Sequence, residues 1–174
     1  MSLNIDDFKA KLIGGGARAN LFKVTMNFPG YAGGDTELTS FMVKGASLPA
    51  STLEAIASPF RGRQAFVAGD RAFETQSFTV INDNGMEVRN AFERWMNAIN
   101  QHNSNLGLSN PVDYEVDYTV EQLNKNDEVT KTYTFRNSFP VNVSQIELSN
   151  DSENTIEEFE VEMRYTYWES STTS

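Results

Sequence analysis

The sequence contains no cysteine. That excludes disulfides, thiolate nucleophiles, iron–sulfur clusters and cysteine-ligated zinc. Histidine occurs once, as His102. A catalytic triad needs a histidine beside a nucleophile, and no G-x-S-x-G elbow accompanies this one. Its place at the end of a predicted helix suits a cation at the negative end of the helix dipole. Basic residues are scarce: 14 against 24 acids, for a net charge of −10. Such a surface repels phosphates instead of gathering them, so a conventional DNA reader with a basic face is not expected. No apolar run approaches the roughly 18 residues that a membrane-spanning helix needs. The start, "MSLNIDDFKAKLIGGG", has no basic opening or apolar core, so neither a signal peptide nor a membrane anchor is expected. Two Asn-x-Ser sequons, at Asn142 and Asn150, are chance matches in that context. No Lys-Ser/Thr follows the glycines at 14–16 or 33–34, so a phosphate loop is not indicated. The acidic turns "NKNDE" and "NDSEN" lack calcium-loop spacing. No cofactor or metal is expected.

What is present is alternation. Hydrophobic residues make up 39% and charged residues 22% of 174, enough for a single domain over residues 1–174 with one sizeable core. Asn4 is placed to cap a short first helix, which the glycines at 14–16 end. Phe22, Val24, Met26 and Phe28 alternate with polar residues, the period-2 mark of a half-buried strand. A loop follows from Pro29, and a second strand is expected through Phe41 and Val43. Residues 44–66 carry scattered apolar residues, two prolines and two glycines. They read as an extended arm beyond the core, of the kind that is often functional. Alternation resumes with Phe78 and Val80. Residues 84–101 form the clearest helix. Asn84 and Glu87 resemble a capping box, and Val88, Phe92, Trp95, Met96 and Ile99 form one apolar stripe. Val112, Tyr114, Val116, Tyr118 and Val120 then alternate with Asp113, Glu115 and Asp117. "EVTKTYTFRN" and "VNVSQIELS", the second started by Pro140, read as two further strands. The fold class that follows is mainly β (α+β): an antiparallel β-sandwich or open barrel of about seven strands with one flanking helix. Residues 170–174 read as a flexible tail.

The last strand, "TIEEFEVEMRYTYWE", sorts its residues by side. Phe159, Val161, Met163, Tyr165 and Tyr167 fall on one face; Glu158, Glu160 and Glu162 fall on the other. Alternate carboxylates lie about 6.5–7 Å apart, a separation that inverting glycoside hydrolysis can use. Catalysis also requires two acids in unequal surroundings, and three equivalent acids on one face read as a wet surface. The residue chemistry points away from an enzyme and toward an acidic interaction or assembly protein.

An ordered set of segments carries a resemblance: "ARANLFKV", "KGASLPAS", "VAGDRAFETQSFTVINDNGMEVRNAFERW", "FPVNVSQIELS" and "NTIEEFEVEMRYTYWE". Together they cover nearly the whole chain, and the sequence resembles the tail tube proteins of contractile-tailed, T-even-type bacteriophages. The resemblance implies a structural virion subunit without enzymatic activity. Six copies would form a ring, and rings would stack into a hollow tube inside the tail sheath. Baseplate and tail terminator proteins would be its partners, assembly would occur in the bacterial host cytoplasm, and viral DNA would pass through without specific binding. A related assembly protein (a secretion-system tube, baseplate hub or tube terminator) is the second reading, and a small acidic hydrolase the third.

The resemblance gives the residue patterns a use. Ring stacking needs a projecting element, and the arm supplies it through Leu48, Pro49, Leu53, Ile56, Pro59, Phe60, Arg61 and Arg63. Asp70 and Arg71 would shape its return or cross to another subunit, the plainer alternative being a turn with a local ion pair. Passing DNA must not stick, so an acidic strand face is expected to line the channel. The candidates are Glu158, Glu160 and Glu162, or Asp113, Glu115 and Asp117.

Overall fold

The computed structural model describes residues 4–173. Among these are nine strands and three α-helices. The helices are α1 (Ile5–Lys11), α2 (Thr36–Met42) and α3 (Glu87–Ile99). The strands are β1 (Phe22–Met26), β2 (Val43–Ala46), β3 (Thr52–Phe60), β4 (Arg63–Ala72) and β5 (Gln76–Ile81). β6 (Val116–Leu123), β7 (Val129–Val143), β8 (Glu158–Arg164) and β9 (Tyr167–Ser170) follow. Seven strands form one antiparallel sheet in the order β1-β6-β7-β8-β5-β2, with β9 also paired to β7. β3 and β4 pair only with each other.

The fifteen-residue β7 turns this sheet into a sandwich. Its first part pairs with β6 and β9, and its last part, from Phe139, pairs with β8. Between the two lies Asn137, with a left-handed φ of 54°. That conformation suits Asn and bends the strand as a bulge does. Asp117 fixes the bend. Its Oδ1 accepts from the Asn137 backbone N–H at 3.0 Å, and its Oδ2 accepts from the Arg136 guanidinium at 2.6 Å. Glu169 takes a second bond from Arg136, at 3.1 Å, and both carboxylates hold the guanidinium protonated above its ordinary range.

Folding β7 over brings the two inner faces together. Tyr118 from β6 stacks on Phe135 from β7 with ring centroids 4.5 Å apart, and Phe78 from β5 meets Tyr118 edge-on at 5.4 Å. Val24, Met26, Val80, Val120, Phe159, Val161 and Met163 complete a dry interior. Burial holds the Tyr118 phenol neutral far above its ordinary range, and its hydroxyl finds no partner.

The α3 stripe closes one side of the sandwich. Val88, Ala91, Phe92 and Trp95 are buried, while Met96 and Ile99 are half-buried. The Trp95 indole donates to the Tyr114 carbonyl at 2.9 Å. Phe28 sets its ring edge-on to both Phe92 and Trp95. That ring lies where a Cβ on residue 34 would have to be, 2.4 Å from its nearest atom, so the position admits only glycine.

Several sequence expectations are corrected. Residues 36–42 are helical, not a strand, because Asp35 caps the first turn by accepting from the N–H groups of Glu37 and Leu38. The α3 N-terminus is capped by Asp83, whose Oδ2 accepts from Gly85 and Glu87, and not by Asn84. Pro140 does not start a strand. It lies inside β7 at a register shift, where the ladder can spare an N–H. The stretch 112–115 is not strand: Pro111–Asp113 form a 3₁₀ turn, and pairing begins at Val116. The end of the chain is not a loose tail through residue 173. Ser170 is buried in β9, and its N–H donates to the Thr173 hydroxyl at 2.8 Å. Ser174 lies outside the described residues.

The expected arm also takes a definite form. It is a β-hairpin from Thr52 to Ala72, while Lys44–Ala46 belong to β2. Arg61 (φ 46°) and Gly62 (φ 81°) form its two-residue turn, the geometry that matches the twist of flanking strands.

Candidate functional site

β8 sorts its side chains as the alternation predicts. Phe159, Val161 and Met163 are buried, and Tyr165 just beyond the strand is buried with them. Tyr167 departs from the pattern: the chain breaks at Thr166, and Tyr167 enters β9 partly exposed. Glu158 and Glu160 are exposed, and Glu162 is half-buried. β8 is an interior strand between β5 and β7, so these acids sit mid-sheet and not at an edge. Thr79 stands opposite Glu160, and Ser77 and Asn142 opposite Glu162, all small and polar, while Ile81 stands opposite Glu158. Among the described residues a cation meets the row at one end, where Lys44 Nζ lies 2.6 Å from Glu158. Both members of that pair are solvated, so it neutralises one carboxylate locally and adds little stability.

The other acidic candidates do not form a comparable face. Asp113 sits in the 3₁₀ turn, Glu115 precedes the strand, and Asp117 is committed to the β7 bend. The acidic face that strand geometry builds is therefore Glu158-Glu160-Glu162 alone. Among the described residues no group of three or more histidine and acidic side chains is arranged to hold a metal ion, and no helix is long and apolar enough to cross a membrane. His102 lies just past α3, where its backbone N–H donates to Asn97 at 3.3 Å.

The hairpin has the opposite character. Leu53, Ile56, Phe60, Phe66 and Val67 are all more than half exposed. Its register places Ile56 opposite Val67 and Phe60 opposite Arg63 on one side. Ala57 opposite Phe66 and Pro59 opposite Gln64 occupy the other. Both faces are thus apolar and neither is covered. An isolated two-stranded hairpin is marginal at best in water, and contiguous apolar surface of this kind marks a contact site. Leu48 is exposed and Pro49 half-buried at the base. Asp70 and Arg71 lie within β4 instead of a turn. Arg71 donates to the Ser51 hydroxyl at 3.0 Å, so it braces the hairpin's base without a local ion pair to Asp70.

The sheet also leaves its edges open. β1 and β2 end the strand order, and β9 pairs only with β7. Lys44 is a counter-charge that the sequence does not mark: it is the extra residue of a bulge between Val43 and Gly45, and its pairing with Glu158 reaches across β5. Sequence reading missed the Arg61-Gly62 turn, whose x-Gly pair between two apolar runs was available.

A bent β-sandwich with open edges, an uncovered apolar hairpin and one acidic sheet face has the surfaces of the class of proteins that assemble with other chains. The family model for the phage tail tube protein matches residues 17–171, and the chain belongs to that family. It is 32% identical over 165 residues to the tail tube protein of Serratia phage KSP90, covering 92% of this chain and 93% of that one. It is also 32% identical over 154 residues to tail tube protein gp19 of Enterobacteria phage T4, covering 88% and 91%. A subunit from the sheath–tube complex of an extracellular contractile injection system, PVC, shares the fold, with a TM-score of 0.68 over 97% of this chain and 98% of that one at 15% identity. The chain is a structural tail tube subunit of a contractile-tailed phage, and such proteins are virion components.

Proposed function

We propose that this chain forms a single tail-tube domain that assembles into hexameric rings, and that the rings stack into a hollow tube. The tube lies inside a contractile sheath, is bounded by baseplate and terminator proteins, and conducts the viral DNA into the host. Assembly takes place in the host cytoplasm. The subunit performs no chemistry and takes no cofactor.

The observation that carries this reading is the hairpin with two uncovered apolar faces. Such an element is stable in water only when both faces are covered, as they are when it is held between neighbouring copies. A closed ring also pairs or covers strand edges such as those of β1, β2 and β9, removing the hazard of open edges. The row Glu158-Glu160-Glu162 lines the channel, where like charge keeps phosphates from adhering.

Negative-stain microscopy of the purified chain tests the proposal. Rings or tubes of uniform diameter are expected at micromolar concentration. Monomers that persist at high concentration, with sheath and baseplate proteins absent or present, would contradict it.

A further inference from the structure

The loop between β7 and β8, residues 144–157, carries an acidic, partly apolar groove of about 460 Å³. Leu148 and Ile156 line it and are 78% and 67% exposed. Glu147, Glu157 and Glu158 line it too, and Asp151 and Glu153 lie on the same loop. Across 145–160 the chain carries six acids and no Lys or Arg. The opposite chemistry sits at the hairpin tip. Residues 55–69 carry Arg61 and Arg63 and no acid, on a chain whose net charge is −10. The Arg61 guanidinium lies 5.4 Å from the Phe60 ring centre, and Phe60 is 66% exposed. The tip is therefore a compact aromatic–cationic knob, and the groove is lined by exposed apolar side chains together with carboxylates.

We propose that the hairpin tip of one copy docks in the 144–157 groove of the next. Phe60 covers Leu148 and Ile156, while Arg61 and Arg63 meet Glu147, Glu153 and Glu157 and leave Glu158, paired with Lys44, to the β8 row. The argument is charge complementarity joined to apolar complementarity. The tip joins two arginines to an exposed aromatic ring, and the 145–160 stretch offers six acids without a basic residue. Among the other exposed apolar side chains, Ile5 and Phe8 on α1 stand with Asp6 and Asp7 against Lys9 and Lys11, and Phe41 on α2 stands with Glu37, so charge gives neither helix a preference for this groove. The inference rests on the stacked-tube reading and adds the surface that receives the arm. Opposite charges also steer encounter, so the contact weakens with salt.

The absence of cysteine makes the test clean. A full-length Gln64→Cys/Ser152→Cys variant, assembled and treated with a short bis-maleimide, should give a ladder of covalent oligomers. Each single-cysteine variant should stop at dimers. Independently, Arg61→Glu/Arg63→Glu should raise the concentration needed for assembly by at least about tenfold. Adding Glu147→Arg/Glu153→Arg to that variant should restore assembly. All of these side chains are exposed, so thermal unfolding of the monomers should match the parent chain. Tubes of normal appearance without a ladder and without rescue would overturn the docking while leaving the stacked tube intact. Cross-links that form only to added sheath protein would also overturn it. A parent chain that makes no tubes would overturn both.

Discussion

Replacing Phe60 and Phe66 with serine separates a folding role for the hairpin from an assembly role. Each ring is 66% exposed in the free chain, and the two lie on opposite hairpin faces. Fully burying a Phe side chain contributes about 1.5–3 kcal/mol. With about two-thirds of each ring still to be covered, assembly gains about 1–2 kcal/mol per ring. The pair then contributes about 2–4 kcal/mol, which is a roughly 30- to 1,000-fold change in the affinity of one subunit contact. In the proposed ring of six the losses act together. The monomer should hardly notice, because surface substitutions away from special features change stability by about 0.5 kcal/mol or less. The assays are thermal unfolding of dilute monomer and sedimentation of the assembled fraction across concentration. The expected result is an unchanged melting temperature with assembly lost at concentrations where the parent chain forms tubes. Unchanged assembly would refute the role of the apolar faces. A melting temperature lowered by more than about 4 °C, the equivalent of 1–2 kcal/mol for a chain of this length, would show that the hairpin packs on its own domain.

Removing residues 53–71 and joining the ends with a short glycine linker should leave a β-rich folded domain that no longer stacks, as circular dichroism and electron microscopy would show. Deleting only 48–64 would strand most of β4 and is expected to aggregate instead. Phe159→Ala removes a ring that is 2% exposed and should cost about 3–5 kcal/mol, read as a lower urea midpoint; a change under 1 kcal/mol would mean that the odd face of β8 is not core. Tyr118→Phe deletes a buried hydroxyl without a partner and should leave stability equal or raised. The same phenol makes a pH prediction. Its folded-state pKa lies above the unfolded value near 10, so its contribution is fully present below about pH 10 and is lost as the pH rises beyond that. The alkaline unfolding midpoint of Tyr118→Phe should accordingly move upward. Glu158→Lys/Glu160→Lys/Glu162→Lys should fold and assemble but slow DNA ejection from virions; unchanged ejection would count against a channel-lining row.

What was legible in the sequence was whatever a period of two or 3.6 records. The Phe159-Val161-Met163 face, the acids between them, and the Val88-Phe92-Trp95 stripe all stand where their spacing placed them. Illegible were features set by contacts far along the chain. Asp113, Glu115 and Asp117 alternate as a strand face would, yet Pro111 begins a 3₁₀ turn, Glu115 precedes the strand, and Asp117 sits at a register shift within β6. Asp117 then holds the β7 bend through Arg136 and Asn137, a tertiary task that carries no local mark. Pro140 looked like a strand start because proline usually is one. Here a register shift absorbs its missing N–H. The α2 helix hid because Phe41 and Val43 alternate, while the signal that decided its start was the Asp35 cap. The hairpin read as irregular because neither of its faces is polar, so no alternation was there to see.

A cryo-electron reconstruction of the assembled tube tests the central claim most directly. The account predicts six-fold rings in which Glu158, Glu160 and Glu162 face the channel and the Thr52–Ala72 hairpin crosses to an adjacent ring with both faces covered. A tube whose acidic β8 face is turned to the exterior or buried between subunits, or whose hairpin stays in solvent, would contradict it.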